Sequence, residues 1–166
     1  DTTSNTMFFV SVNKDSHNPY TVRHRLHAVD IQSGEEKPFS PVIIAATVPG
    51  TGVDSVNGTV TFGSAKQSQR HALSLVDGVV YFGFGSYCSA NPYHGWLFGY
   101  KAATLERVLY FCSTPNGEQG AIWHTGQGLV SDSEGYLYII STNGYFKEGT
   151  DFANSFMKLD PRKVQK

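Results

Sequence analysis

Cysteine, charge and long apolar runs are all scarce in this sequence, and each scarcity excludes something. Charged residues make up 16% of the 166, well under the roughly 25% of ordinary soluble domains, and they are scattered singly around a net charge of −1. That leaves no basic footprint for nucleic acid and no acidic tail. The longest apolar stretch, Pro41 to Val48, falls far short of the ~20 residues a spanning helix needs, so no membrane insertion is expected. The start, Asp1-Thr2-Thr3-Ser4, has no basic region, no apolar region and no initiator Met. Either a leader has been removed or the chain begins inside a longer one.

Catalytic signatures are missing as well. The serines lie in no nucleophile elbow, and no glycine-rich phosphate loop leads into a helix. Glu35, Glu36, Glu118 and Asp132 sit in turns. The six histidines form no metal signature: His24 and His27, three apart, fall on opposite faces of a strand. Asp151 and Asp160 lack the spaced oxygens of a calcium loop and read as solvated turn carboxylates. No catalytic residue and no metal ligand is therefore expected. Helical periodicity is absent too, because Gly or Pro interrupts nearly every apolar window.

What the chain has in quantity is aromatic residues and glycine, a balance that suits a β-rich protein with many tight turns. Its length suffices for one domain with a sizeable core. The stretch Ser74 to Cys112 reads as one complete unit. Asp77-Gly78 leads into Val79 to Phe82, His94-Gly95 into Trp96 to Tyr100, and a third run spans Arg107 to Phe111. The pattern recurs on both sides. First runs lie at Met7 to Val12, Val79 to Phe84 and Tyr136 to Ser141, and second runs at Arg25 to Asp30, Trp96 to Lys101 and Ser155 to Asp160. The two series advance in step from copy to copy, which chance rarely arranges. A further apolar run follows in copies one and two, at Pro41 to Val48 and Arg107 to Phe111. A shorter run precedes copies two and three, at His71 to Val76 and Gln127 to Val130.

Four short antiparallel strands in a meander, repeated at this period, predict an all-β β-propeller segment. About three blades are expected: a partial one over 1–48, a complete one over 70–112 and a partial one over 126–166. Insertions at Asn13 to Val22, Pro49 to Gln69, Tyr87 to Tyr93 and Ser113 to Thr125 should gather at one end, where ligands usually bind. Thr47 to Thr61 reads as a long loop with a short hairpin. Three blades cannot close a ring of four to eight, so the remaining blades of a larger ring, or other chains, are the expected partners.

Leu26-His27-Ala28-Val29-Asp30-Ile31-Gln32-Ser33-Gly34 resembles the Ala-x-Asp-x-x-Thr-Gly signature of quinoprotein-like (pyrroloquinoline quinone-like) propeller repeats, with Ser in place of Thr. Pro92 to Leu105, and Thr114-Pro115-Asn116-Gly117 with Gly120-Ala121-Ile122-Trp123, are similar to bacterial and fungal proteins of that kind. The resemblance implies pyrroloquinoline quinone and calcium as the family's cofactors. It does not carry them to these residues, because blade signatures are packing devices. The sequence departs from the family in three places. The blade-ending Trp is missing near Pro38, Leu109 and Lys166, Lys101 replaces the Asp in copy two, and Val164 replaces the Gly in copy three. The adjacent-cysteine disulfide of the cofactor-binding members is absent.

Cys88 and Cys112 lie at one end of the complete unit with a strand between them. Two strand spacings put them ~9.6 Å apart, beyond the ~7 Å a disulfide spans, unless the loop at Tyr87-Cys88 folds inward. Both readings stand, a disulfide or two buried small hydrophobes. His71, His94 and His124 each begin or precede a strand and are expected to converge at one end. Tyr93, His94 and Trp96, with Trp123 and His124, are the candidate ligand residues, an apolar face with directed polar groups. Packing between blades is the alternative for both Trp residues. Asn57-Gly58-Thr59 is a glycosylation acceptor triplet and points towards a secreted or periplasmic protein. The expected function is a non-catalytic binding or scaffold module. The alternatives are a segment of a quinone-dependent oxidoreductase whose cofactor site lies elsewhere, and a carbohydrate-binding propeller.

Overall fold

A computed structural model describes residues 1–14, 18 and 21–164. Half of the Asn13 to Val22 insertion, and Lys166, lie outside the described residues. Among those residues there are thirteen strands and no helix. The first sheet holds β1 (Thr6–Lys14), β2 (Val22–Asp30) and β3 (Val42–Ile43) in that order. A separate hairpin joins β4 (Thr47–Pro49) to β5 (Thr59–Thr61). The second sheet holds β7 (Ser74–Val76), β8 (Val79–Ser86), β9 (Trp96–Lys101) and β10 (Arg107–Cys112) as a meander. Short β6 (Gln67–Ser68) pairs with the far end of β8. The third sheet holds β11 (Val130–Ser131), β12 (Leu137–Ile140) and β13 (Phe156–Leu159). All these strand pairings are antiparallel.

Turn chemistry sets the registers. Asp77 and Gly78 both take positive φ, 48° and 74°, the two-residue turn whose twist matches a hairpin, and Val76 is thereby paired with Val79. From there strict alternation along β8 and β9 divides the core in two. Val80, Phe82, Phe84, Trp96, Phe98 and Tyr100 face the first sheet and meet Leu26 and Ala28 of β2, with Ile44, Val60 and Phe62. Tyr81, Leu97 and Leu109 face the third sheet and meet Leu137, Ile139 and Met157. The second sheet is thus covered on both faces, and seven of the eight residues of β8 are buried.

Its two faces are unlike. The first is filled by aromatic rings in edge-to-face and stacked contact, with Phe62–Phe98 centroids 5.2 Å apart and Trp96–Phe98 6.0 Å apart. The second carries glycine where the third sheet's neighbours come close. A Cβ on Gly83 would lie 2.7 Å from Ile122 Cγ2, and one on Gly85 would lie 2.6 Å from the Trp123 ring.

Two expectations need correcting. Pro41 to Val48 is not one strand. Val42 and Ile43 pair with β2 and the Ile44 N–H still donates to the His24 carbonyl; burial alternates onward, so that Ile44, Ala46 and Val48 enter the core while Thr47 begins the β4–β5 hairpin. Cys88 and Cys112 are not bonded: Cys88 is exposed in the loop after β8, and Cys112 is buried at the end of β10. Cys88 and Ser89 take left-handed backbone, φ 50° and 54°, in an exposed stretch, so the loop does not fold in over the intervening strand.

Candidate functional site

Among the described residues the connections after β4, β8, β10 and β12 meet at one end, where they are hydrogen-bonded to one another. The segment after β4 is tied to the one after β10: Gly52 and Val53 N–H groups donate to Pro115 and Gly117 carbonyls, and Thr51 donates to Asn116 Oδ1. The β8–β9 connection joins through Gln119 N–H to the Tyr93 carbonyl and Gly95 N–H to the Gln119 carbonyl. The β12–β13 connection adds Phe152 N–H to the Ser113 carbonyl and Asn116 N–H to Asp151 Oδ1, at 2.7 and 2.8 Å. Backbone groups that would otherwise need water are satisfied inside this knot.

Three of the five candidate ligand residues are buried, Tyr93 and His94 in this knot and Trp96 in the aromatic core. Trp96 is fully buried in the aromatic core, with no partner for Nε1 among the described residues. Tyr93 is buried and accepts a 3.1 Å hydrogen bond from Asn143 Nδ2. His94 is 1% exposed; its Nδ1 lies 2.8 Å from the Thr114 carbonyl and its Nε2 2.8 Å from Asp54 Oδ1. Trp123 and His124 remain partly exposed. Trp123 lies against Gly85 on one side, and the Arg70 guanidinium stands 5.9 Å from its ring centroid.

The three loop histidines do not all converge. His71 and His124 stack at 4.9 Å, joined by pairing of His71 with Thr125, whereas His94 belongs to the separate cluster with Asp54. His124 Nε2 accepts the Ile140 N–H at 2.7 Å. His71 is 1% exposed, its Nδ1 bonds the Ala72 carbonyl, and its Nε2 has no partner among the described residues. Burial holds its pKa down at about 4. His24 matches it: it is buried edge-on to Phe62 and Phe84, neither nitrogen has a partner among the described residues, and its pKa is lowered to about 4 by burial. Sequence reasoning placed His24 on a strand face but not in the core, although its phase with Leu26 and Ala28 carried that information. Asp54, Arg70 and Asn143 gave no signal, because what makes them neighbours is contact between distant loops.

These residues do not fit pyrroloquinoline quinone with calcium. A flat tricarboxylate and a hard cation need free cations, an open aromatic face and converging oxygens. Asp54 and Asp151 are committed to His94 and to the Asn116 N–H, and Trp96 has no open face. Among the described residues no three His, Cys, Asp or Glu side chains converge as metal ligands. Asn57, the acceptor of the glycosylation triplet, is exposed at the tip of the β4–β5 hairpin, where Val56 pairs with Thr59.

No family model matches the chain, and no curated protein matches it in sequence. Among solved structures it is similar to a quinohemoprotein alcohol dehydrogenase of Pseudomonas putida HK5. The TM-score is 0.53 at 16% identity, over 82% of this chain and 19% of that one. The chain spans less than a fifth of that enzyme's length, and at such identity the likeness speaks to the fold alone. Separate antiparallel sheets stacked in sequence order, without a closed barrel, together with this likeness make the chain an all-β segment of a β-propeller.

Proposed function

We propose that this chain is a non-catalytic binding or scaffold module of a quinoprotein-like propeller, completed by further blades in a secreted or periplasmic setting. The observation that carries this reading is what the outer sheets leave uncovered. Met7, Phe9 and Ile43 are exposed on the first sheet, and Val130, Ile140 and Phe156 on the third. In the second sheet β9 is covered by β10, whereas its counterpart β13 ends its sheet beside an open groove of ≈ 410 Å³ lined by Phe111, Phe146, Phe152 and Met157. Apolar sheet faces and a free strand edge of this kind are surfaces for more sheet. The isolated chain should bind an apolar dye and self-associate. Introducing Lys at both Met7 and Phe156 should abolish both properties without loss of stability. A dispersed, dye-silent wild-type chain overturns the reading, and so does dehydrogenase activity of the chain with added quinone and calcium.

A second reading is favoured by the likeness to a quinohemoprotein alcohol dehydrogenase. The chain would then supply blades to a quinone-dependent oxidoreductase whose cofactor residues lie outside it. The isolated chain should then leave its tryptophan fluorescence unchanged on addition of quinone and calcium. Quenching that is lost on chelation counts against it.

A further inference from the structure

We infer that Ser11 is an activated nucleophile, a serine that takes an acyl group from an ester. Four side chains form a line across the face of the first sheet that turns away from the second. Ser11 Oγ lies 2.8 Å from His27 Nε2, and His27 Nδ1 lies 2.6 Å from Glu36 Oε1. Glu36 Oε2 accepts from the Ser40 hydroxyl, whose oxygen in turn accepts the Ala28 N–H at 2.7 Å. A hydroxyl within hydrogen-bond reach of a base, with the base held by a third group, is the arrangement that makes a serine reactive. A carboxylate has no hydrogen to give, so Nδ1 donates to Glu36; in the neutral ring Nε2 then turns a lone pair to the serine. Asn13 Oδ1, 3.0 Å from Ser11 Oγ, is the rival acceptor. An amide oxygen is a weaker base than an imidazole nitrogen, and this one already accepts from Arg25 Nη1 at 3.3 Å.

The strands hold this geometry. β1 and β2 pair along their whole length, with Phe9 opposite His27 and Ser11 opposite Arg25, so nucleophile and base stand on a ladder rather than on loops. Phe9 stacks flat on the imidazole, centroids 4.6 Å apart and planes 2° apart, which fixes the plane of the ring. Pairing of Glu36 with Val29 brings the carboxylate alongside. Ser11 is half-buried and the His27 side chain is 15% exposed, so an ester reaches the hydroxyl from solvent. Exposed Phe9 and Ile43 flank the serine and suit an apolar acyl chain, and charge building on the acyl oxygen forms beside Arg25. In the step, a bond forms from Ser11 Oγ to the ester carbonyl carbon as the bond from that carbon to the leaving oxygen breaks. The serine proton passes to His27 Nε2 and from there to the leaving oxygen. The inference goes beyond the module reading and needs no further blade. A nucleophile with its base makes an acyl-serine, and release of the acyl group is a separate step that a binding module does not require.

The probe is p-nitrophenyl acetate, added to the full chain with the exposed Cys88 thiol alkylated beforehand. Peptide mapping by mass spectrometry should find acetyl on Ser11, arriving ~10²-fold faster than on exposed Ser133, the lower end of what a positioned base contributes. Ser11→Ala should remove that label and leave the others. His27→Gln should bring the Ser11 rate down to that of Ser133. Glu36→Gln, which takes away the charge opposite Nδ1, should slow it while the urea midpoint shows the fold kept. Ser11 acetylated no faster than Ser133, or as fast in His27→Gln as in the wild type, overturns the proposal.

Discussion

Replacing His24 with Phe should flatten the acid side of the stability profile. The imidazole is 1% exposed between Phe62 and Phe84, 5.9 and 5.1 Å away by ring centroid, with both nitrogens unpartnered among the described residues. Burial lowers its pKa from 6.5 to about 4. Between those values the unfolded chain binds a proton that the folded chain refuses. Stability is therefore complete above 6.5, falls as pH drops towards 4, and levels below it. At ~1.36 kcal/mol per pH unit the limiting loss is ~3 kcal/mol, and His71 adds a similar amount. Together they are a large share of the ~5–15 kcal/mol that holds a domain folded. Phe is somewhat larger than His, but it suits edge-to-face contact with both neighbours and removes two orphaned polar atoms. The variant should be at least as stable as wild type near neutrality. Urea unfolding at about pH 7.5 and about pH 4.5 measures the effect: wild type should lose ~2.5 kcal/mol more than the variant between them. Carboxylates titrating in the same range cancel in that difference. Parallel losses in the two proteins would refute the reasoning.

Other outcomes follow from single contacts. Cys88 should react with a thiol reagent in the folded protein and Cys112 only after unfolding, since one is exposed and the other buried; equal rates would contradict the packing. Trp96→Ala should cost ~3–5 kcal/mol in urea unfolding, because the ring is wholly within the aromatic core. Trp123→Ala should cost less and is the variant with which to test glycan binding on an array; binding that survives it would exclude the partly exposed indole as the sugar platform. Gly85→Ala should destabilise by ~1–3 kcal/mol, since the new methyl meets the Trp123 ring 2.6 Å away; a neutral result would mean the ring yields.

Strands whose side chains alternate were legible in the sequence. Trp96 to Lys101 was expected with the bounds that β9 has, and Val79 to Phe84 nearly so, because Asp77-Gly78 pins the turn and aromatic residues fill every second place. That same alternation puts Trp96 in line with Phe98 and Tyr100. It thus marked Trp96 for the core even though its neighbours Tyr93 and His94 suggested a ligand site. Copy one's last run misled, since apolar character alone does not show where a run leaves one sheet for another: Val42 and Ile43 pair with β2, whereas Thr47 to Pro49 pair with β5. The loop contacts were illegible for another reason. His94 meets Asp54 across forty positions and Asn116 meets Asp151 across thirty-five, and no local pattern encodes such meetings.

The unlike faces of the second sheet make the repeat directional rather than modular. A duplicate of Ser74 to Cys112 placed after the original would offer its rings, Phe82, Phe84 and Trp96, to a surface where Gly83 and Gly85 are fitted closely to Ile122 and the Trp123 ring. Copies of this unit cannot be shuffled or multiplied at will. Each is fitted to the one before and the one after, so lengthening such a chain by tandem duplication would require both faces to be resculpted together.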